Sequence, residues 1–195
     1  MLNIDVKELL LKIARDNDLA AFKKIYFLYY ERLLKLASSF VKQTEVAEEI
    51  VDDVFVKVWA NRIRLSEVNN LTVYLYVAIK NQALNYNQAN RIVCIDIESV
   101  EFELKDLNSS VEDVLITAEL AKVINGAIQR LPEQCKMVFK LVKEDHLKYR
   151  SVAEILSISP KTVEYHMGNA LKTIAAAISA SPDHHKRFFK KASAN

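Results

Sequence analysis

The stretch Tyr149–Lys172, YRSVAEILSISPKTVEYHMGNALK, predicts two short helices folded against each other as a helix-turn-helix. The first helix would run through Val152, Ala153, Ile155 and Leu156. Because Ala153 is small, the second helix can cross close to the first. The stretch therefore predicts a compact two-helix unit.

The turn between these helices is predicted at Ser157-Ile158-Ser159. Ser159 is a good N-cap, and Pro160 suits the first helical position, where no backbone N–H is needed. Such a turn usually holds a glycine in the left-handed backbone region. Ser157 stands there instead, at a modest conformational cost.

The second helix has two unlike faces, because residues about 100° apart sort into an apolar and a polar set. The apolar set, expected to pack, is Val163, Met167, Ala170, Leu171 and Ile174; the polar set, expected to be presented, is Lys161, Thr162, Tyr165, Asn169 and Lys172. Side chains of the polar kind can read base edges in a DNA major groove. The alternative is a solvated helix face.

Composition limits the fold class. The chain has 195 residues, 51% of them hydrophobic, which is enough for two small cores or one larger one. Two glycines, three prolines and no Asn-Gly or Asp-Gly pair leave no hairpin signal. The sequence therefore predicts an all-α protein.

Charge is distributed unevenly along the chain, although the net charge is only +2. Residues 1–91 carry 13 basic and 11 acidic side chains, residues 92–113 carry 1 and 7, and residues 114–195 carry 13 and 7. The excess positive charge thus falls in the part that contains the helix-turn-helix. Any nucleic-acid surface must be local, since the whole chain is no polycation.

The sequence shows none of the usual signs of an enzyme or of a secreted or membrane protein. Cys94 and Cys135 form no CxxC motif and fit a reducing cytosol. Charges interrupt the apolar N-terminus, so we expect neither a signal peptide nor a membrane span. Adjacent His184 and His185 are no usual metal pair. With no nucleophile–base pair or phosphate loop, we expect a cytoplasmic protein without catalysis or cofactor.

Apolar spacing predicts helices at 4–15, 18–41, 45–61, 71–91, 111–131 and 132–144. The inward residues of the 71–91 helix should be Leu71, Tyr74, Leu75, Ala78 and Ile79. Residues 94–97 alternate in a way that could form a short extended segment, but no partner strand is apparent. From residue 179 onward the chain is a polar, basic tail.

The 45–61 helix carries an acidic second face that also holds the one tryptophan of the chain. This face comprises Glu45, Glu48, Glu49, Asp52, Val56 and Trp59. A charged rim around an aromatic anchor is typical of protein interfaces. The alternative is that Trp59 folds back beside Phe55 into the core.

The 71–91 helix carries a row of amides, Asn81, Asn85 and Gln88, beside a second row formed by Lys80, Asn87 and Arg91. Asparagine is a poor residue inside a helix, so its repetition needs a reason. Amides both donate and accept, and can therefore contact paired or unstacked bases. The alternative is a solvated, fraying helix end.

Taken together, these motifs resemble a bacterial RNA polymerase sigma factor of the extracytoplasmic-function (ECF) group. AEEIVDDVFVKVW (47–59) is similar to region 2.2 of that family, and VYLYVAIKNQALNY (73–86) to regions 2.3 and 2.4. LPEQCKMVFKL (131–141) and the helix-turn-helix are similar to region 4. The resemblance implies two small helical domains, region 2 (1–91) and region 4 (112–178), joined by an acidic linker (92–111) and followed by the basic tail (179–195).

The resemblance also implies roles for individual residues. Core polymerase, through the clamp helices of its largest subunit, would contact Glu48, Glu49, Asp52, Asp53, Phe55 and Trp59, and its flap would contact region 4. The minus-10 element would be read and melted by Asn69, Asn70, Lys80, Asn81, Asn85 and Tyr86, with the loop 66–70 as a pocket for an extruded base. The minus-35 element would be read by Lys161, Thr162, Tyr165, His166 and Asn169, with Arg150 and Lys172 on phosphates.

The sequence departs from the family pattern at several positions. Asp52-Asp53 stands where Gln-Glu is common, Asn85 where Asp is common, and Ser151 where Glu is common. The first two departures could alter polymerase affinity or promoter preference.

The implied function is a promoter-specificity subunit that binds core polymerase and promoter DNA and is held in check by an anti-sigma factor. The acidic linker could occupy the RNA path of the polymerase as a nucleic-acid mimic. Two other hypotheses are a helix-turn-helix regulator whose front half is a sensor or dimerisation domain, and a helical adaptor that binds only proteins.

Overall fold

The computed structural model describes residues 5–90 and 111–181, with side chains in the second range from residue 119 onward. Every regular element in these ranges is helical. The helices are α1 (Val6–Asp16), α2 (Leu19–Ala37), α3 (Thr44–Ala60), a 3₁₀ helix (Arg62–Glu67), α4 (Leu71–Ala89), α5 (Val111–Gln129), α6 (Glu133–Lys143), α7 (Tyr149–Leu156) and α8 (Pro160–Ser179). The all-α prediction is confirmed.

The helices form two compact units, the first of which contains α1 to α4. In this unit α2, α3 and α4 pack on one another, while α1 packs against α2 and the 3₁₀ helix. Its core includes Leu33, Val51, Leu75 and Ile79, which are all fully buried. Burial of one such side chain is worth about 1.5–3 kcal/mol, so these contacts hold the three long helices together.

Side-chain caps set where the helices of this unit begin. The Asp5 carboxylate accepts hydrogen bonds from the first turn of α1, and the Asp18 carboxylate accepts from Ala20 and Ala21 in α2. Between these helices Asn17 adopts the left-handed conformation, with φ of 52°. An asparagine tolerates this conformation better than most residues, so α1 can end there and α2 can begin at once.

The second unit contains α5, α6 and α8, with α5 and α6 both packed against α8. Ile128 of α5, Val138 of α6 and Met167 of α8 are at most 1% exposed. Val152 and Ile155 of α7 are also fully buried. The apolar side of the predicted helix-turn-helix is therefore a packing surface.

The turn of the helix-turn-helix forms where the sequence predicts it. Ser157 has φ of 58°, and the two hydrogen bonds Ile158 N–H to Ala153 O and Ser157 N–H to Glu154 O close the end of α7. This pair of bonds is the Schellman arrangement that ends a helix at a left-handed residue. Ser159 then caps α8, its Oγ accepting from the Thr162 N–H at 3.0 Å.

Two side chains predicted to pack lie on the surface instead. Leu171 is 46% exposed, and Tyr74 is 40% exposed whereas Val73 and Tyr76 beside it are buried. The angular position of a residue on its helix does not show how much of that helix the neighbouring helices cover. These two residues lie at the margins of their apolar faces. The predicted apolar stripes were wrong there.

Several sequence predictions lie outside the described residues. These are the extended segment at 94–97, the acidic linker, Arg91, the histidine pair and almost all of the basic tail. The division of the chain at 91/92, 111/112 and 178/179 stays a prediction. Of the helices in the two described ranges, none has both the length and the apolar character that a membrane crossing demands.

Candidate functional site

The polar side of α8 is open to solvent along its length. We call it the presented face: Lys161, Thr162, Tyr165, His166, Asn169 and Lys172. Tyr165 is 65% exposed, and both lysines are exposed. Thr162, His166 and Asn169 are partly exposed and lie nearer the packed side. The presented face therefore offers donors, an amide and an aromatic ring in one row.

Thr162 is tied to the start of α8. Its hydroxyl lies 2.8 Å from the Ser159 hydroxyl, which also accepts from the Thr162 backbone. These contacts fix the first turn of the helix, whose free N–H groups favour an anion such as a phosphate. Arg150, in the first turn of α7, is exposed and unobstructed.

His166 makes a contact that the sequence did not indicate. Its Nδ1 lies 3.3 Å from the Sγ of Cys135 in α6. The Tyr165 ring lies 5.7 Å from the His166 ring, tilted by 63°. Burial raises the pKa of the Cys135 thiol. Cys135 and His166 are 31 residues apart, so only the packing of α6 on α8 brings them together.

The amide row of α4 is exposed as predicted. Asn81 and Asn85 are exposed, and Lys80 and Tyr86 are partly exposed. Asn87 differs: it is 7% exposed and donates from Nδ2 to the Phe40 carbonyl at 2.8 Å. Its place in a second polar surface row was wrong, because this amide anchors the end of α4 to the chain that follows α2.

The loop before α4 is partly engaged in local hydrogen bonds. The Asn70 side chain caps α4, with its Oδ1 accepting from Val73 N–H at 3.2 Å. The Ser66 hydroxyl donates to the Ile63 carbonyl at 3.1 Å. Asn69 is exposed. Asn70, which is predicted from the sequence to contact a base, thus has a structural role as the cap of α4.

The acidic face of α3 is exposed, and hydrogen bonds hold part of it in place. Glu48, Glu49, Asp52 and Asp53 are all exposed. Asp52 accepts from the Tyr26 hydroxyl at 3.0 Å. Asp53 accepts from the Gln82 amide at 3.1 Å, and the oxygen of that amide accepts from Lys57 at 2.7 Å. Hydrogen bonds from α2 and α4 therefore hold the Asp52 and Asp53 carboxylates in position.

Trp59 lies between the two arrangements that the sequence left open. It is partly buried, with its ring 4.9 Å from that of Phe22 and the Arg62 guanidinium 5.0 Å from its face. Arg62 also donates to the Trp59 carbonyl at 3.1 Å. One face of the indole thus packs on α2, and a cation covers the ring.

Phe55 is a correction to the predicted polymerase surface. It is 3% exposed and lies among Phe22 and Tyr26, with ring centroids 6.0 and 4.7 Å away. A buried ring cannot contact a partner directly, so Phe55 supports the face from beneath. The i+4 spacing places Phe55 and Trp59 on the same side of α3, but α2 covers Phe55 completely and Trp59 only in part.

Sequence reasoning missed Tyr26 and Arg62 as parts of this surface. Burial, together with the hydrogen bond to Asp52, raises the pKa of Tyr26 to about 12, so its hydroxyl stays a donor. Burial and the charges of Glu48 and Asp52 raise the pKa of Tyr30. Only the packing of α2 on α3 brings these tyrosines to the carboxylates. Among the described side chains, no group of three His, Cys, Asp or Glu could hold a metal ion.

Comparison with known proteins matches both halves of the chain to one family. The family model for sigma-70 region 2 matches residues 25–91, and the model for sigma-70 region 4 matches residues 122–174. The ECF RNA polymerase sigma-E factor of Escherichia coli K12 is 25% identical over 176 residues, covering 86% of this chain and 91% of the relative. The sigma-E factor of Haemophilus influenzae is 24% identical, covering 85% and 91%.

Solved structures show the same fold. CnrH, in complex with the cytosolic domain of CnrY, matches with a TM-score of 0.56 at 19% identity, covering 91% of this chain and 99% of that one. The sigma factor RpoE of Bartonella quintana, in complex with the anti-sigma factor NepR, matches with a TM-score of 0.52 at 20% identity, covering 82% and 98%.

The two regions, in this order and with these helices, define a sigma factor of the sigma-70 family. Within that family the chain belongs to the ECF group. It is a transcription initiation factor that directs RNA polymerase to promoters, and it catalyses no reaction itself.

Proposed function

We propose that this sigma factor divides promoter recognition between two of its helices, with α8 reading the minus-35 element and α4, with the loop before it, reading and melting the minus-10 element. The observation that carries the proposal is the presented face of α8. It is capped by Ser159, stands on a buried apolar side, and exposes Tyr165 and both lysines. Helix-turn-helix proteins place such a face in the major groove.

Contacts of the presented face divide by chemistry. Thr162, Tyr165, His166 and Asn169 contact base edges, whereas Lys172 and Arg150 neutralise phosphates. Lys161, in the first turn, can do either. Phosphate contacts set position and salt dependence, and base contacts set sequence preference.

On α4, the exposed Asn81 and Asn85 with Lys80 and Tyr86 form the minus-10 surface, and Asn69 and Asn70 form the edge of a pocket for an extruded base. Extrusion costs a few kcal/mol of stacking, which polar contacts return only for a fitting base. The placement of all these groups on one unit supports a single recognition surface.

The acidic face of α3 docks on core polymerase. Glu48, Glu49, Asp52 and Asp53 supply charge, and Trp59 supplies the aromatic anchor beside them. Tryptophan is one of the residues most often found among energetically important contacts, whereas surrounding carboxylates set charge complementarity. The clamp helices of the largest subunit are the proposed partner on this side and the flap is the proposed partner of region 4.

An anti-sigma factor is the proposed regulator, because the Bartonella quintana sigma factor of similar fold was solved with one. The cytoplasm, where core polymerase and promoter DNA are found, is the proposed location.

The test is run-off transcription with purified chain, core polymerase and a promoter set selected by the unmodified chain. Tyr165→Ala with Asn169→Ala should abolish minus-35 discrimination while core binding is kept. Leu171→Ala is the matched control, since this residue is also exposed on α8 but lies outside the presented face. Unchanged promoter choice in the double variant would overturn the assignment of α8. Tight duplex binding without polymerase would favour an ordinary helix-turn-helix regulator.

A further inference from the structure

The hydrogen-bonding character of His166 is set by a residue beneath the presented face. Cys135, the third residue of α6, is 4% exposed, and its Sγ lies 3.3 Å from His166 Nδ1. His166 stands at the edge of the presented face, four residues after Thr162 and three before Asn169. The contact therefore links the packed interior of region 4 to a side chain that faces outward.

The direction of this hydrogen bond follows from the chemistry of the two groups. Burial raises the pKa of the Cys135 thiol, so at neutral pH the sulfur carries a proton that it can donate to Nδ1. Sulfur is a weaker acceptor than an imidazole nitrogen, and this difference favours the thiol as donor. A neutral imidazole has one donor nitrogen and one acceptor nitrogen. Because Nδ1 accepts from the thiol, the ring hydrogen lies on Nε2.

The ring is also held in position. Cys135 contacts it from α6, and the Tyr165 ring, 5.7 Å away, contacts it along α8. Nε2 is the remaining polar atom of the side chain, and the residue is partly exposed. A ring with these two contacts presents that atom with a smaller loss of freedom on binding than a free side chain would.

We propose that Cys135 is a positioning residue for promoter recognition: its thiol holds His166 as the Nε2–H tautomer, so that α8 presents a hydrogen-bond donor at this point. A donor pairs with guanine O6 or N7, adenine N7 or thymine O4, and is rejected by the amino groups of cytosine and adenine. His166 therefore selects an acceptor edge in the minus-35 element. This inference rests on the proposed function.

The experiment is run-off transcription by the full chain with core polymerase on a library randomised across the minus-35 element. The variants are His166→Ala, Cys135→Ala, Cys135→Ser and the pair Cys135→Ala with His166→Ala. Val138→Ala is the matched control, because this α6 side chain is fully buried and changes packing alone.

His166→Ala and Cys135→Ala should each reduce preference at the same base pair by about fivefold or more, the range that one good base contact provides. Cys135→Ser should restore the preference because a hydroxyl also donates, and the double variant should lose no more than His166→Ala. Val138→Ala should lower yield from all promoters alike. If Cys135→Ala behaves like Val138→Ala, the inference is overturned.

A second measurement reads the tautomer without DNA. Nitrogen chemical shifts of the labelled full chain should show His166 as Nε2–H in the unmodified protein and a mixture in Cys135→Ala. An Nδ1–H tautomer in the unmodified chain would overturn the inference even if promoter choice is intact. If the unmodified chain directs no transcription, or Tyr165 and Asn169 prove irrelevant to promoter choice, the proposed function fails, and that result does not depend on Cys135.

Discussion

Ser157 occupies the left-handed backbone region at the turn of the helix-turn-helix, where glycine is usual. Its φ is 58°, and the two hydrogen bonds that end α7 depend on that conformation. For a residue with a Cβ the left-handed region costs about 1–2 kcal/mol. The surrounding bonds hold the residue there because Ser159 and Pro160 must begin α8 immediately afterwards.

Ser157→Gly should therefore raise the free energy of unfolding by about 0.5–1 kcal/mol, since glycine adopts this conformation without the steric cost. Denaturant titration of the full chain would measure the change. Ser38→Gly is the control, because Ser38 has φ of −60° and should lose stability by a similar amount. An equal change in both variants would contradict the explanation from backbone strain.

In the proposed docking of α3 on core polymerase, Trp59 is the aromatic anchor. Trp59→Ala should weaken binding of core polymerase by about tenfold or more, as removal of an aromatic anchor commonly does. It should also cost stability, since the contacts with Phe22 and Arg62 are lost. Competition binding with labelled polymerase, after circular dichroism confirms folding, measures the effect.

Leu11→Ala supplies the comparison for Trp59, because Leu11 is a 39% exposed apolar residue of α1 in the same unit. This variant should bind polymerase as the unmodified chain does. Unchanged affinity of Trp59→Ala would remove the docking assignment, whereas equal weakening in both variants would indicate a general loss of fold.

At the scale of the element, α4 carries asparagines with structural hydrogen bonds beside exposed asparagines that we propose contact the minus-10 element. Asn70 caps its beginning, and Asn87 fastens its end to the Phe40 carbonyl. Asn81 and Asn85 lie between them and are exposed. Hydrogen bonds thus offset the unfavourable helix propensity of asparagine at the two ends of α4, whereas the described residues give no such compensation at Asn81 and Asn85, the residues proposed to contact bases.

Asn70 allows capping and base contact to be separated. Asn70→Asp keeps the oxygen that accepts from Val73, so stability should stay within about 0.5 kcal/mol, whereas Asn70→Ala should lose about 1 kcal/mol. The aspartate lacks the amide N–H₂ and adds a negative charge, which weakens binding to all promoters alike. A fall in minus-10 preference beyond that general loss would come from lost base contact. Melting curves and permanganate footprinting measure the two effects, and intact preference in Asn70→Asp would leave this residue a cap alone.

At the scale of the whole molecule, charge changes sign along the chain. Residues 92–113 carry 7 acidic side chains and 1 basic one, whereas residues 114–195 carry 13 basic and 7 acidic ones. Promoter DNA and RNA are both polyanions, so the basic segment favours nucleic acid, and the hypothesis that the acidic segment mimics it follows from the opposite charge.

If the acidic linker occupies the RNA path of the polymerase, replacement of Asp96, Glu98, Glu101, Glu103 and Asp106 by their amides should change the ratio of abortive to full-length RNA, because the linker would then lack the charge of a polyanion. Gel analysis of initial transcripts at fixed promoter occupancy measures this ratio. Amides at the exposed Asp16, Glu31, Glu154 and Glu164 provide the control. An unchanged ratio in the linker variant would rule out the mimicry.

Most helices could be predicted from the sequence, because local signals determine them. The Ser159 cap with Pro160 acts within a few residues and lies where the pattern predicts. The helices predicted from apolar spacing at 18–41 and 45–61 correspond to α2 and α3. The exposure of the presented face likewise follows from the period of a single helix. The exception on α8 is Leu171, which the period assigns to the apolar face but which is exposed.

The tertiary structure alone decided which side chains meet across helices. Three such contacts join residues that are 29 to 47 positions apart in the sequence: Phe55 with Tyr26, Asn87 with Phe40, and Cys135 with His166. No local pattern encodes these contacts, since they depend on how α2 packs on α3 and α6 on α8. Thus the sequence by itself determined the helices and their outward faces. Packing decided which side chains are buried as structural supports and which stay exposed, because burial depends on the neighbouring helices that the fold supplies.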